Sequence, residues 1–298
     1  SDVFFASVLT PGPNFTSDPR VRYDRLSGRW YLVIIDVPNS GTVPNRTLLA
    51  VSDTATITGT TVWTFFFFQF DLTTQFADYP TLGIDANALY IGANMFSASA
   101  GTFTRTDAAV VRKSSVTSGG PIVVTLFPGL ATGTGAGPYT PQGVDNFDPA
   151  ATEGYFIGVD NAAFSLLQVR RVSTPGGTPT LSGNLSVTVP TTNFPAPAPH
   201  LGNTGGTNGR LDTLDDRLFA AHLRDGRLWT AHNIRVGTTG VASTTNARNA
   251  ARWYELQNLT TTPSLRQSGT VFDSAATNPR HFFIPSVMVS GQGHRSEE

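Results

Sequence analysis

The 298-residue sequence contains no cysteine, one lysine and four glutamates. The absence of cysteine excludes disulfide bonds, thiolate nucleophiles and zinc sites built on thiolates. Charged residues make up 14% of the chain and the formal net charge is −1, so no strong overall field favours nucleic acid or an acidic membrane surface. Glycine, proline, threonine, serine and asparagine are abundant instead. This composition is typical of turn-rich β proteins and unfavourable for long helices.

Long apolar runs are also absent. The longest candidate, "VWTFFFFQF" at 62–70, is much shorter than the roughly 18 apolar residues that indicate a membrane-spanning helix, and we interpret it as a buried strand. The chain begins at Ser1 without a methionine or a recognisable signal peptide, so we expect a mature or excised piece of a longer precursor. Together with the low lysine content, these features predict an exported bacterial protein that is extracellular or held at the cell surface.

One pattern recurs along the sequence. The segment "DPRVRYDRLSGRWYLVIID" at 18–36 reads as two strands around a tight turn. Comparable hairpins begin at Asp78, Asp148, Asp215 and Asn278. Each starts with Asp or Asn and gives a short apolar strand, a polar turn and a second apolar strand. Further strands between the hairpins bring the number to about four per repeat, which predicts an all-β fold of the β-propeller type, built from four-stranded antiparallel blades.

The predicted propeller is one domain over 1–298, with repeats near 18–77, 78–147, 148–214, 215–277 and 278–298. The last repeat is partial, because it is too short for four strands, and a strand at 2–9 supplies one more to close it. The expected ring is therefore five-bladed with an incomplete closing blade. An exposed apolar strand edge favours association, so we expect another polypeptide, or a further copy of the chain, to complete that blade.

Acidic side chains precede the predicted innermost strands, which line the axis of a propeller. The catalytic candidates are Asp18, Asp78, Asp148 and Asp216. Paired carboxylates can carry out acid–base chemistry on a glycosidic bond, and five-bladed glycoside hydrolases and lyases place acidic residues at the axis. The alternative is that each Asp caps a turn or bonds backbone N–H groups. We favour this structural role, because catalysis needs one or two positions and not one in every blade.

A second acidic group indicates a metal site. The segment "VDNFDPAATE" places Asp145, Asp148 and Glu153 within nine residues, and clustered oxygen ligands on a loop suit Ca²⁺. The spacing differs from that of an EF-hand, and Asx-rich turns without metal are the alternative. Calcium is the candidate cofactor. The five histidines are scattered and do not indicate zinc.

Aromatic residues are the candidates for ligand binding. Tyr79, Trp229 and Trp253 could stack on the rings of a glycan. The alternative is packing between blades, and we favour it for the two tryptophans because they lie inside apolar strand runs.

The segment "SDTATITGTTVWTF", which begins at Ser52, resembles the Asp-box of sialidase-like propellers in a degenerate form. In that family the box marks the turn between the third and fourth strands of a blade, so the resemblance implies propeller architecture. The sialidase catalytic set also implies a Tyr–Glu pair, for which only Glu153 and Glu255 are available, and we do not transfer the activity. The segments "DPRVRYDRLSGRWY" and "DYPTLGID" are similar to propeller segments of large exported bacterial proteins.

The sequence thus predicts a non-catalytic extracellular module that binds or assembles, as part of a larger exported protein. Its partner would be a polypeptide or a glycan, and neither nucleic acid nor a membrane span is expected. The alternative is a carbohydrate-active enzyme, a glycoside hydrolase or polysaccharide lyase, that uses carboxylates at the propeller axis.

Overall fold

The computed structural model describes residues 1–39 and 44–290, together with the backbone of 295–297. Most of its regular structure is antiparallel β-sheet. The strands of the first sheet, blade 1, are β1 (Asn14–Asp24), β2 (Arg29–Pro38), β3 (Thr47–Ser52) and β4 (Trp63–Phe68). They pair in chain order as an antiparallel meander. Ser52 and Trp63 face each other across the turn between the third and fourth strands, where the sequence places the Asp-box-like segment.

Blade 2 has an inner edge in two pieces, because β5 and β6 both pair with β7. Its strands are β5 (Gln75–Asp78), β6 (Gly83–Ile84), β7 (Ala88–Ser97), β8 (Phe103–Arg112) and β9 (Val124–Thr132). A short helix, α1 (Lys113–Thr117), lies between β8 and β9. The inner edge is therefore interrupted at Tyr79 and Pro80.

Two further meanders follow. The strands of blade 3 are β10 (Pro138–Asn146), β11 (Glu153–Asp160), β12 (Leu166–Ser173), β13 (Thr180–Leu181) and β14 (Leu185–Thr188). The strands of blade 4 are β15 (Leu218–Arg224), β16 (Arg227–Val236), β17 (Arg248–Gln257) and β18 (Ser264–Val271). A 3₁₀ turn (Gly206–Gly209) lies between these two blades. A last pair, β19 (Val287–Val289) and β20 (Arg295–Glu297), follows blade 4.

The blades pack face to face in chain order, which follows from the period-2 alternation of side chains along a strand. Odd-numbered residues of blade 1, such as Leu49, share a buried cluster with odd-numbered residues of blade 2, such as Ile91. Even-numbered residues of blade 2, such as Tyr90, pack instead against Phe156 of blade 3. The other face of blade 3 meets blade 4 in a third cluster. Each central blade is thus buried on both faces, as a propeller requires.

The inner strands run side by side in the same direction. β10 and β15 pair in parallel over three residue positions, Val144 to Ala221 being the first of them. Four-stranded antiparallel meanders, packed in sequence with their first strands together at the centre, are the arrangement of a β-propeller, and the fold-class prediction is confirmed. The number of blades that close the ring stays a prediction.

The first strand of blade 3 differs from the sequence repeat. The structure places this strand at Pro138–Asn146, so the inner strand precedes Asp148, whereas the repeat near 148–214 assigns it to residues after Asp148. The segment "PYTPQGVDN" has little apolar character, but all of it except Tyr139 is buried because neighbouring blades surround it on both sides. Asp148 consequently lies in the loop that follows the inner strand.

Residues 2–9, predicted as a closing strand, form successive turns instead. Phe5 and Val8 are buried against Ile34, Leu48 and Ala50 of blade 1, on the face turned away from blade 2. The segment therefore covers a blade face and adds no strand to a sheet. No helix in the described part of the chain is long and apolar enough to cross a membrane.

A left-handed residue directly before a proline recurs along the chain, and two of its occurrences lie in the inner strands β1 and β10. It occurs at Asp18 (φ 57°), Tyr79 (φ 51°), Thr140 (φ 45°) and Asn278 (φ 49°), each followed by proline. Residues before proline favour extended backbone, so these positions are strained. In β1 and in β10 the pairing register shifts at this point, which is the signature of a β-bulge. The bulge changes the direction in which nearby side chains project.

Lys113, the single lysine, is buried and joins blade 1 to blade 2. Its Nζ lies 2.8 Å from Oδ2 of Asp24, which is 1% exposed, and also donates to the carbonyl oxygen of Asp85. Replacement by methionine leaves the Asp24 carboxylate buried without its counter-charge. We expect Lys113→Met to lower the free energy of unfolding by about 3–5 kcal/mol, measured by urea denaturation. The double variant Lys113→Met/Asp24→Asn should recover part of this loss, and equal stability of wild type and Lys113→Met would contradict the assignment.

Candidate functional site

Side chains from all four blades meet where the inner strands begin, a place we term the upstream mouth. Its members are Asp18 and Arg20 of blade 1, Asp78 and Tyr79 of blade 2, Tyr139 of blade 3, and Asp215, Asp216 and Arg217 at the start of blade 4. β10 and β15 run parallel, so Tyr139 and the residues just before β15 lie at the same end of the axis. Contacts of Arg20 and Arg217 with Tyr79 add the residues of blades 1 and 2 to this group.

Asp18 and Asp78 form a hydrogen-bonded carboxyl pair. Burial raises the pKa of Asp78, and the charge of Asp18 and the hydrogen bond between the two carboxyls raise it further; the charge of Arg217 and the backbone N–H of Tyr79 act in the opposite direction. Two carboxyls in contact cannot both ionise easily, which is why the charge of Asp18 adds to the effect of burial on Asp78. This arrangement places two interacting carboxyl groups side by side at the mouth.

A stack of alternating rings and cations lies beside this pair. The Cζ of Arg20 is 4.5 Å from the centre of the Tyr79 ring, and that of Arg217 is 4.2 Å from it. Arg20 also donates from Nε to the carbonyl oxygen of Pro80 at 3.0 Å. These contacts fix the Tyr79 ring between two guanidinium groups, where each interaction contributes on the order of 1 kcal/mol.

Asp215 is held by Arg217 and Tyr139. Arg217 donates from Nε and from Nη2 to the two carboxylate oxygens, at 2.7 Å each, and the Tyr139 hydroxyl donates to Oδ2 at 3.0 Å. Burial acts to raise the pKa of Asp215, but the hydrogen bonds and charge of Arg217 outweigh it and the pKa is lowered. Asp215 is therefore an ionised, fully partnered carboxylate whose role is to position Arg217.

Asp216, the next residue, has the opposite environment. Burial raises its pKa to about 7, and the neighbouring charge of Asp215 adds to this effect, while a hydrogen bond from Thr192 opposes it. Near neutral pH the Asp216 carboxyl is thus partly protonated, which is what a general acid requires. Adjacent carboxyls driven to different ionisation states by their surroundings are a common feature of acid–base sites.

Two pockets flank these carboxyls and both are lined by aromatic rings. The larger, about 500 Å³, is bounded by Asp215, Asp216, Tyr139, Phe164 and Phe194, with Phe103 at its edge. The smaller, about 350 Å³, is bounded by Asp78 together with Phe76 and Phe96. Edge-to-face contacts of 5.9 Å between Phe96 and Phe103, and of 5.6 Å between Phe103 and Tyr139, connect the two. Aromatic rings beside acids provide stacking surfaces for sugar rings.

The structure places only some of the sequence-predicted site residues at the upstream mouth. It brings Asp18, Asp78, Asp216 and Tyr79 to the upstream mouth. Asp148 lies instead beyond the far end of β10, where its carboxylate accepts the backbone N–H of Ala150 and its own backbone N–H donates to Asn146. Trp229 and Trp253 are 4% and 7% exposed and stack on each other at 6.1 Å, in a cluster with Val289. These tryptophans pack in the core of blade 4.

The three predicted calcium ligands have other partners. Asp145 accepts hydrogen bonds from Arg22 and from the backbone N–H of Ile84, at 2.8 and 3.0 Å. Glu153 lies 3.4 Å from Arg171 and accepts the Tyr155 hydroxyl. Within the described residues no group of three or more acidic or histidine side chains could hold a metal ion. The loop carboxylates thus stabilise the chain through protein donors.

Sequence reasoning missed Arg20, Arg217, Tyr139 and Phe103. Tyr139 lies in the segment that reads as a Gly/Thr-rich loop, so no strand signal pointed to it. An available signal was the pattern Asp-Pro-Arg at 18–20 and Asp-Asp-Arg at 215–217, which places an arginine one or two residues after an axial carboxylate in two blades.

The buried histidines predict how stability depends on pH. Burial lowers the pKa of His232 to about 4, and it lowers that of His222 to about 4 with the help of Arg224 and Arg22. Between pH 6.5 and 4 the unfolded chain binds protons that the folded chain excludes, so the free energy of unfolding falls as pH is lowered through this range. For the fully buried His232 the loss is about 3 kcal/mol.

Asp216 has the opposite effect on how the free energy of unfolding depends on pH. Its carboxyl keeps a proton in the folded chain up to about pH 7, while the unfolded carboxyl ionises near 3.8, so its contribution falls as pH rises between these values. Urea midpoints between pH 7 and 4.5 should therefore show a shallower acid loss for His232→Gln than for wild type and a steeper one for Asp216→Asn. Identical slopes in the three proteins would contradict both pKa shifts.

No family model matches the chain, and no curated protein matches it. Among solved structures it is similar to an engineered GH43 glycoside hydrolase that displays both endo-xylanase and exo-arabinofuranosidase activity. The identity is 13% and the TM-score 0.40, with 95% of this chain and 46% of the other covered. The chain thus spans less than half the length of that protein. The propeller assignment rests on the strand order and packing of this chain.

Proposed function

We propose that the upstream mouth binds a glycan and that the chain is a carbohydrate-active enzyme, a glycoside hydrolase. The observation that carries the proposal is the hydrogen-bonded Asp18–Asp78 carboxyl pair, which shares one mouth with the partly protonated Asp216. Aromatic pockets on both sides of these acids supply the surfaces on which sugar rings stack.

The pair and Asp216 take different roles in this proposal. Asp18 and Asp78 interact directly, so they act together as one unit, and the second acid that a glycoside hydrolase needs is a separate carboxyl. The ionised member of the pair accepts a proton from water, whose oxygen attacks the anomeric carbon. Asp216 donates its proton to the glycosidic oxygen as the bond from that oxygen to the anomeric carbon breaks. The arginine–tyrosine stack holds the Asp78 loop in position.

A panel of polysaccharides and oligosaccharides tests the proposal. Hydrolysis is expected to give new reducing ends and products that contain one added water, detected by mass spectrometry, while a lyase would give unsaturated products that absorb in the ultraviolet. The Asp78→Asn variant should bind the same glycans without turning them over. If wild type neither binds nor cleaves any glycan of the panel, the proposal is wrong.

A second candidate function, a non-catalytic extracellular module for assembly, is favoured by two apolar blade faces. The outer face of blade 1 is covered by the N-terminal turns, where Val3 is 92% exposed, and the outer face of blade 4 is covered by β19, where Met288 is 74% exposed. An apolar face that is only thinly covered can serve as a surface for association. A polypeptide, or a further copy of the chain, that docks here would complete the last blade.

Light scattering after size exclusion tests the assembly candidate. Wild type is expected to associate with itself, and Val3→Asp/Met288→Asp to run as a monomer. Leu201→Asp is the matched control, because Leu201 is 99% exposed in a loop between blades 3 and 4 and should leave association unchanged. If wild type is a monomer, a second copy of the chain is excluded as the partner that docks here.

A further inference from the structure

The opposite end of the axis carries a cluster of cations, which we term the downstream mouth. Its members are Arg22 and Arg25 of blade 1, Asp145 and Phe147 of blade 3, and His222 and Arg224 of blade 4. β10 separates Tyr139 from Asp145 by six residues, so the two mouths are about 20 Å apart. The downstream mouth is therefore distinct from the glycan site proposed above.

Phe147 holds two of the guanidinium groups in place. The Cζ of Arg25 lies 4.7 Å from the centre of the Phe147 ring, and the Cζ of Arg224 lies 4.5 Å from it. A guanidinium that stacks on a ring uses its flat face and leaves its N–H edge available for hydrogen bonds. Each edge can donate to an oxyanion in a charge-assisted hydrogen bond.

The cations in this cluster have few partners of their own. Within the described residues Arg25 and Arg224 form no ion pair, and Nε of Arg224 and Nε2 of His222 are buried without a hydrogen bond. The carboxylate of Asp145 binds Nε of Arg22 and the backbone N–H of Ile84. Asp145 thus pairs with Arg22 and leaves Arg224 without a hydrogen-bonded acceptor for its buried Nε–H, which is unfavourable unless a ligand satisfies it.

The pocket beside these cations also contains acids. It has a volume of about 580 Å³, opens beside Phe147 and Arg224, and is also lined by Asp148, Glu153 and Asp225. Glu153 is paired with Arg171, whereas Asp148 accepts the backbone N–H of Ala150 and Asp225 is exposed at the turn after β15. Burial and repulsion from Arg25 lower the pKa of Arg224, and attraction to Asp145 opposes this shift. An anion bound here therefore meets carboxylates as well as cations.

We propose that the downstream mouth binds an oxyanion, held by the guanidinium edges of Arg25 and Arg224. The ligand class is a compound that carries a carboxylate, sulfate or phosphate group and is small enough for the adjoining pocket. The proposal does not depend on glycan turnover at the upstream mouth.

Isothermal titration calorimetry tests the site with three probes, glucuronate, inorganic sulfate and inorganic phosphate, each at one ionic strength kept constant with sodium chloride. Wild type is expected to bind at least one probe. Arg224→Gln and Arg25→Gln should each weaken that binding by about tenfold or more, since each loses a charge-assisted hydrogen bond. Arg280→Gln is the matched control, because Arg280 is exposed and distant in sequence from the cluster.

The probes distinguish the source of the anion. Binding of glucuronate alone assigns the site to a carboxylate on a sugar, whereas binding of sulfate or phosphate as well assigns it to the bare oxyanion. The absence of binding by all three probes, or equal binding by wild type and the folded Arg224→Gln and Arg25→Gln variants, would overturn the proposal. Circular dichroism of each variant establishes that it is folded.

Discussion

An Asp216→Asn variant is expected to turn over glycan about 10²–10⁴-fold more slowly than wild type while it keeps its fold. The carboxyl of Asp216 has its pKa raised to about 7, mainly by burial, so wild type should lose activity as pH rises above 7 and the donor ionises. Asparagine has nearly the same shape but cannot donate a proton to the leaving oxygen. The residual activity of the variant should therefore show no such loss above pH 7.

Asp225→Asn is the control for this experiment. Asp225 has φ 48° at the turn between β15 and β16, a conformation that asparagine tolerates well. It follows the downstream end of β15, whereas Asp216 precedes the upstream end of the same strand. It should match wild type in both rate and pH profile. If Asp216→Asn has wild-type activity, or loses activity above pH 7 as wild type does, Asp216 is not the proton donor of the reaction.

A Gly92→Ala variant is expected to lose about 4 kcal/mol or more of folding stability, or to fail to fold. A methyl group at this position would lie well under 3.0 Å from the carbonyl oxygen of Pro141, so it meets backbone and not a mobile side chain. Gly143 shows the reciprocal situation, because its added methyl would meet the carbonyl oxygen of Tyr90. Blades 2 and 3 approach each other so closely here that neither strand has space for a side chain.

Gly59→Ala provides the comparison for the stability measurement. Nothing lies within 4 Å of a methyl group at Gly59, and its backbone has an ordinary φ, so this variant should remain within about 0.5 kcal/mol of wild type in urea denaturation. If Gly92→Ala unfolds at the same urea concentration as Gly59→Ala, the two blades are not in the close contact described.

The sequence carried most of the information needed for the fold class. Hairpins such as the one at 18–36 are visible because their strands alternate in polarity around a turn that contains Gly28. The inner strand of blade 3 was not visible, because its burial arises from the faces of neighbouring blades and not from its own apolar residues. Residues 2–9 show the opposite error, because their apolar pattern predicted a strand that did not form. A short apolar run fits a buried turn as well as a strand.

The candidate site was partly predictable. Asp18, Asp78 and Asp216 were identifiable because the sequence pattern places them before predicted inner strands, and a propeller brings such positions together. The raised pKa values of Asp78 and Asp216 were not identifiable, because they depend on burial and on contacts made by the folded chain. Aromatic residues are ambiguous in a similar way. Trp229 and Tyr79 look alike in the sequence, but one lies in a core and the other at an open mouth.

The left-handed residues before proline give this scaffold interchangeable positions. Four segments share a left-handed residue before proline, yet they carry an aspartate, a tyrosine, a threonine and an asparagine. Thr140 is fully buried and accepts a hydrogen bond from Asn94, so it belongs to the core. Asp18 and Tyr79 lie at the upstream mouth instead, and a designer could vary residues 18 and 79 together as a small library to select new ligand specificities while the core remains untouched.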